Sequence, residues 1–155
     1  MIRPAHTDVP SERAAEDCIF CEIISGSAPA EVLYENDRAL AILDIRPIHH
    51  GHSLIIPKFH CRDFLGLPKE YHSGVLEAAQ AVAAATVRAL SLEGFNVFSN
   101  NGAVAGQSIF HFHLHVTPRY PDDQIRFELT LKRYQDGQMR MMARDIRAFL
   151  SEQSR

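Results

Sequence analysis

The chain has 155 residues, of which 46% are apolar and 23% charged, and it carries a formal charge of −3. That is the profile of one ordinary globular domain; it excludes long disorder, collagen-like repeats and coiled coil, and no apolar run reaches the roughly 18–20 residues that a membrane span needs. The acidic balance argues against a nucleic-acid polymer as partner, because that affinity rests on Lys and Arg, so any phosphate must be held by a few aimed groups.

Residues 1–16 are polar, contain Pro4 and Pro10, and lack periodicity. They read as a flexible tail before a single domain over 17–152. There is no apolar leader, and the three cysteines are too few and too unevenly spaced for a disulfide framework, so a cytoplasmic location is expected. Glu31–Glu35 and Arg38–Asp44 read as strands joined by the turn residues Asn36-Asp37. His52–Ile56 is a third strand, stopped by Pro57. Val75, Ala79, Val82, Ala83, Thr86, Val87 and Leu90 form one stripe of a long helix, with Gly94 as its C-cap. Phe95–Ser99 and Ile109–Arg119 read as further strands. Met142, Ile146, Phe149 and Leu150 return to helical spacing near the C-terminus. The short connections between the early strands require antiparallel pairing. The expected fold is therefore α+β, an antiparallel sheet of about five strands with one long helix and a C-terminal helix packed on one side.

The segment richest in chemistry is His111-Phe-His113-Leu-His115-Val116. On a strand, alternate side chains share a face, so the three histidines would line an open surface while Phe110, Phe112, Leu114 and Val116 pack under the helix. A neutral imidazole is a good nucleophile near pH 7, and neighbouring rings can orient it and move protons. Upstream, the loop from Asn100 through Gly102, Gly106, Gln107 and Ser108 combines glycines that permit close backbone approach with neutral donors suited to a phosphate. Cys18-x-x-Cys21 is half of a metal site or a redox pair; with no buried strand of a βαβ unit before it, metal is the better reading. Taken singly, His49, His50, His72 and His6 read as solvated, and Met139, Met141 and Met142 as packing residues.

These stretches resemble the histidine-triad family of nucleotide hydrolases and transferases, specifically its zinc-containing bacterial-type branch. The signature alternates histidine with apolar residues; His111-Phe-His113-Leu-His115-Val-Thr117 matches it except for the polar Thr117. Leu43-Asp44-Ile-Arg-Pro47, Gly51-His52-Ser-Leu-Ile-Ile-Pro57-Lys58 and Asn101-Gly102 through Gly106-Gln107-Ser108 match as well, over roughly residues 17–120. The resemblance implies that His113 attacks the α-phosphorus of a purine nucleotide to give a nucleotidyl-histidine, which water resolves to a nucleoside monophosphate. It implies that His115 contacts the phosphate, that His52 and His111 support the triad, and that Asn100, Gly106, Gln107 and Ser108 hold phosphate or leaving group. Asp44 would bind the ribose, and Ile19, Phe20, Ile23, Ile42, Ile45 and Leu54 would form the base slot. A structural Zn2+ on Cys18, Cys21, His60 and His111, no catalytic metal, and a homodimer are further implications. Two other readings of the same residues are a metal-dependent hydrolase that uses the His-x-His-x-His ladder as its catalytic metal site, and a nucleotide-binding regulatory module with feeble turnover.

Overall fold

The computed structural model describes residues 17–126 and 129–152; the expected tail over 1–16, with His6, lies outside the described residues. In chain order the elements are α1 (Ile19–Ile24), β1 (Val32–Glu35), β2 (Ala39–Leu43), β3 (Ser53–Pro57), α2 (Lys69–Leu90), β4 (Gly94–Phe98), β5 (Leu114–Arg119) and α3 (Gln138–Glu152). The strands form one antiparallel sheet in the order β1-β2-β3-β5-β4. The chain divides into two compact units, one ending at Asp123 and one beginning at Gln124. The second unit carries α3, whose Met139, Met141, Met142, Ile146, Phe149 and Leu150 are exposed.

Strand alternation splits the apolar residues of the sheet between two cores. Ala39 and Ala41 of β2, Ile55 of β3 and Val116 of β5 face α2, where they meet Val75, Ala78, Ala79, Val82 and Ala83. Alanines on both sides let the helix lie close to the sheet. Leu40, Ile42, Leu54 and Ile56 point to the opposite face, and there they meet Cys18 and Phe20, with Ile23 and Ile24 packed alongside. A short helix that the sequence did not announce, α1, closes the face that α2 leaves open. Between β1 and β2, Asn36 accepts from the N–H groups of Arg38 and Ala39 at 2.8 Å each, as turn chemistry requires.

Three local expectations are corrected. The long helix ends at Ser91, which takes the left-handed conformation (φ 51°), while Gly94 opens β4. Its stripe is buried from Gly74 to Ala83, but Leu90 is exposed. The last strand begins at Leu114 and not at Ile109. The β3–β5 ladder stops at the pairing of Ile55 with Leu114. Beyond it, Phe112 N–H donates to Cys61 O (2.7 Å) and the His111 ring reaches Pro57 O, so residues 109–113 follow the chain leaving β3 without extending its ladder.

Candidate active site

The alternation of the triad survives outside the strand, but the face it presents is not open. Phe112 and Val116 enter the core under α2, as their spacing predicts. The imidazoles point the other way and are covered: His111 is 0% exposed, His113 7% and His52 2%. The cover is α1. Phe20 sets its edge against His113 and His111, with ring centroids 5.1 and 5.8 Å apart. Water is largely excluded from the rings, and burial is the main reason that His52, His113 and His115 all lie below the usual imidazole range, His115 at about 4. The three are therefore neutral at pH 7.

Each ring is oriented by a specific partner. His113 Nδ1–H donates to the backbone oxygen of His111 at 2.7 Å, which leaves the lone pair on Nε2. His115 is sandwiched: it stacks on Phe98 (4.6 Å, 13°) and on His52 (5.1 Å, 29°), and it lies 4.8 Å from His113 in a T-shaped contact. His52 Nε2 and His115 Nδ1 are 2.9 Å apart and share a hydrogen. On its other side, His52 Nδ1 is 3.2 Å from the Ile48 N–H and 3.4 Å from Asp44 Oδ2. Asp44 is fixed in turn, its Oδ1 accepting from Arg46 N–H at 2.8 Å.

The loop before the triad is braced by its own side chains. Gln107 is buried; its Oε1 accepts from Gly102 N–H (2.7 Å) and its Nε2 donates to Arg62 O (2.7 Å) and Ile109 O (3.0 Å). Both amide hydrogens are thereby committed to backbone, so this side chain shapes the loop. Asn101 Oδ1 accepts from Phe64 N–H, tying the loop to the turn at Phe64–Gly66. Gly106 adopts φ +87°, and a Cβ there would stand 3.6 Å from Asn100 Nδ2, so Asn100 and Gly106 are neighbours, with Ser108 exposed beside them. Of the expected base slot, Phe20, Ile23, Ile42 and Leu54 gather in one cluster. Ile19 and Ile45 stay on the surface, 43% and 91% exposed.

The other cluster lies on the far side of His111. The ligand atoms of Cys18, Cys21, His60 and His111 all lie within 4.8 Å of one another. Cys18 Sγ is 3.4 Å from His111 Nδ1, and Cys21 Sγ is 3.3 Å from His60 Nδ1. His111 Nε2–H donates to Pro57 O at 2.9 Å, which leaves Nδ1 as the lone pair that faces the thiols. Burial, followed by the neighbouring Cys18, pushes the Cys21 thiol up to about 12. Two sulfurs and two imidazole nitrogens converging on one point fit a closed tetrahedral ion. Cys61, adjacent in sequence, is instead buried in the α2 core. The same division of rings argues against a ladder chelate. His111 turns to the thiols and His113 to a backbone oxygen, and among the described residues no cluster unites the three triad histidines. His49, expected to be solvated, is half-buried and lies against Tyr120 (4.3 Å). The missed features are α1 and the bracing by Gln107; six continuous residues with no apolar period gave no helical signal.

The chain has relatives. The HIT domain model matches residues 25–122. Adenylylsulfatase HINT3 of Arabidopsis thaliana is 41% identical over 126 residues, 81% of this chain; the chain spans 64% of that relative's length. A Zn-bound histidine triad family protein from Mycobacterium smegmatis superposes with a TM-score of 0.68 at 38% identity, covering 86% of this chain and 98% of that one. The histidine triad nucleotide-binding protein from Candida albicans gives a TM-score of 0.80 at 27% identity, covering 88% and 99%. Ordered motifs, sheet topology and matched span agree, and the chain belongs to the HIT domain family.

Proposed function

We propose that the protein is a nucleotide hydrolase or nucleotidyl transferase in which His113 Nε2 attacks the α-phosphorus of a nucleoside phosphoramidate or dinucleoside polyphosphate. The phosphorus–leaving-group bond breaks as the P–Nε2 bond forms, the departing oxygen or nitrogen takes a proton from solvent, and water then cleaves the nucleotidyl–His113 bond, returning its proton to solvent and releasing a nucleoside monophosphate. One observation carries this reading: the 2.7 Å bond from His113 Nδ1–H to the His111 carbonyl leaves a neutral, aimed lone pair on Nε2. His115 contacts the phosphate, and His52 holds His115 from behind. Asn100, Gly106 and Ser108 offer donors to the phosphate and leaving group, with Gln107 keeping their loop in shape. Asp44 takes the ribose hydroxyls. A purine rests against Phe20, Ile23, Ile42 and Leu54, with Ile19 and Ile45 at the rim.

Cys18, Cys21, His60 and His111 would hold a structural Zn2+, which ties α1 to the triad segment; no catalytic metal is called for. A homodimer is supported by the exposed apolar groove of about 780 Å³ where Leu76, Ala83 and Val87 of α2 meet Phe95 and Val97 of the edge strand β4. The cytoplasm suits three cysteines that form no disulfide; no helix among the described residues is long and apolar enough to cross a membrane.

The test is rapid quench with α-labelled adenosine phosphoramidate, diadenosine tetraphosphate and adenylyl sulfate. Label on His113 during turnover, absent in His113→Ala, is the expected result. Turnover with no adduct on His113 would overturn the mechanism, and tight monophosphate binding without turnover of any of the three would favour a regulatory binding module.

A further inference from the structure

The donors that the phosphate loop offers, from Asn100, Gly106 and Ser108, are uncharged. That set suits a substrate that releases a neutral amine. A polyphosphate leaving group makes a different demand: its oxygen keeps the electron pair when the P–O bond breaks, and several negative charges gather on the side away from the nucleoside. A cation stands along the outer edge of the loop. Phe112 N–H donates to Cys61 O at 2.7 Å, Gln107 Nε2 to Arg62 O at 2.7 Å, and Phe64 N–H to Asn101 Oδ1 at 2.8 Å. Residues 61–64 therefore run beside 101–112, with Arg62 in the middle of the seam. Burial alternates along this segment, so that Cys61 and Asp63 face inward and Arg62 faces out.

The guanidinium of Arg62 lies over the half-buried ring of Phe110, 4.1 Å from its centroid. Phe110 is two residues beyond Ser108 and adjoins His111. Stacking fixes the cation while leaving its in-plane N–H donors unspent. Asp63, its neighbour in sequence, is engaged elsewhere: Oδ1 accepts from Leu65 N–H at 3.0 Å. Among the described residues no carboxylate forms an ion pair with Arg62. Other cations of the same unit are committed, Lys58 to Glu35, Arg119 to Asp123 and Arg38 to the Tyr71 ring. We propose that Arg62, stacked on Phe110, is the anion clamp of the leaving-group side and selects nucleotides that release a polyphosphate over those that release a neutral amine. The phosphate next to the reacting one meets the loop, and those beyond it meet the guanidinium, whose pull grows as the departing oxygen takes the bonding pair. This rests on the nucleotide reading, in which Asn100 and Ser108 face the leaving group.

The test compares wild type, Arg62→Gln and Arg62→Lys on diadenosine tetraphosphate and adenosine phosphoramidate. In Arg62→Gln the ratio of kcat/KM for the tetraphosphate to that for the phosphoramidate should fall about five- to tenfold, the scale of one exposed charge-assisted contact. Arg62→Lys keeps the charge and should restore most of that ratio. A parallel fall on both substrates would mean that Arg62 only shapes the loop, and a constant ratio that the polyphosphate lies elsewhere; either overturns the clamp while the nucleotidyl–His113 reading stands. Equilibrium binding decides the matter without turnover. In Arg62→Gln, α,β-methylene adenosine triphosphate should lose affinity relative to adenosine monophosphate by a similar factor, and equal loss of both, or loss of neither, overturns the clamp. If neither nucleotide binds the wild-type chain, the slot assignment and the clamp fall together.

Discussion

Replacing Phe20 by alanine tests whether α1 is what makes the triad a neutral, dry site. Phe20 is 3% exposed and is the one fully buried residue of α1. Truncating a buried phenylalanine costs about 3–5 kcal/mol when the rest of the core stays put. Here the cost is capped by local undocking. α1 has only six residues and no side-chain N-cap, and helices shorter than about 12 residues do not stand alone in water. Whether the helix lifts off or a void forms, water reaches the rings of His113 and His111. Burial is the largest cause of the low basicity of His113, so its titration should climb toward the ordinary value of about 6.5. The assay follows the His113 ring proton against pH by NMR, with urea unfolding in parallel and Phe20→Leu as the apolar control. We expect the acid limb of kcat/KM to rise with the titration and the unfolding midpoint to fall. A His113 titration that stays at its wild-type position in Phe20→Ala would refute the claim that α1 sets the protonation state.

Further outcomes follow from single contacts. Gln107→Ala removes three hydrogen bonds to backbone, leaving Gly102 N–H and the Arg62 and Ile109 carbonyls to find water; kcat should drop by an order of magnitude or more, and at about 1 kcal/mol per exchanged bond the melting temperature should fall by roughly 6–12 °C. Gly74→Ala would push a Cβ to within 2.6 Å of Arg38 Cβ; the overpacking cost of about 1–3 kcal/mol outweighs the roughly 1 kcal/mol of helix propensity gained, and urea denaturation should show a net loss. His115 binds its proton at about 4 in the folded chain against about 6.5 unfolded. Its contribution to stability is therefore full above pH 6.5 and is lost as pH falls toward 4, with a ceiling of about 3 kcal/mol that partial exposure lowers; His115→Phe should flatten that part of the stability–pH curve. In Val97→Glu, a charge on the apolar groove beside β4 should shift sedimentation from dimer to monomer at micromolar concentration; an unchanged mass would remove that face as the interface.

The parts of the fold that were readable from sequence are those where one residue type has one use. The turn residues Asn36-Asp37 and the stop at Pro57 announced the strands found at Ala39–Leu43 and Ser53–Pro57, and the stripe from Val75 to Ala83 announced the helix above them. The cluster of Cys18, Cys21, His60 and His111 was proposed from resemblance, and its ligand atoms lie together. What stayed hidden depends on contacts distant in sequence. Ile19–Ile24 is uniformly apolar save Cys21 and Glu22, so its period is silent, and its docking over His113 cannot be inferred from either segment alone. The start of β5 at Leu114 goes with Pro57 offering its carbonyl to the His111 ring, a long-range contact with no local signature. Gln107 looks like any polar donor in a glycine loop until its three backbone partners are seen.

The two-sided sheet has an evolutionary consequence. On the α2 side, Ala39, Ala41, Ile55 and Val116 share their cluster with the long helix, whereas on the other side Leu40, Ile42, Leu54 and Ile56 share theirs with the lid that covers the histidines. Neutral drift can therefore rework the first set under selection for folding alone, while every exchange in the second set is screened twice. Lineages of this fold should diversify faster beneath the long helix than beneath the short one, and directed libraries aimed at altered reactivity belong on the slower side.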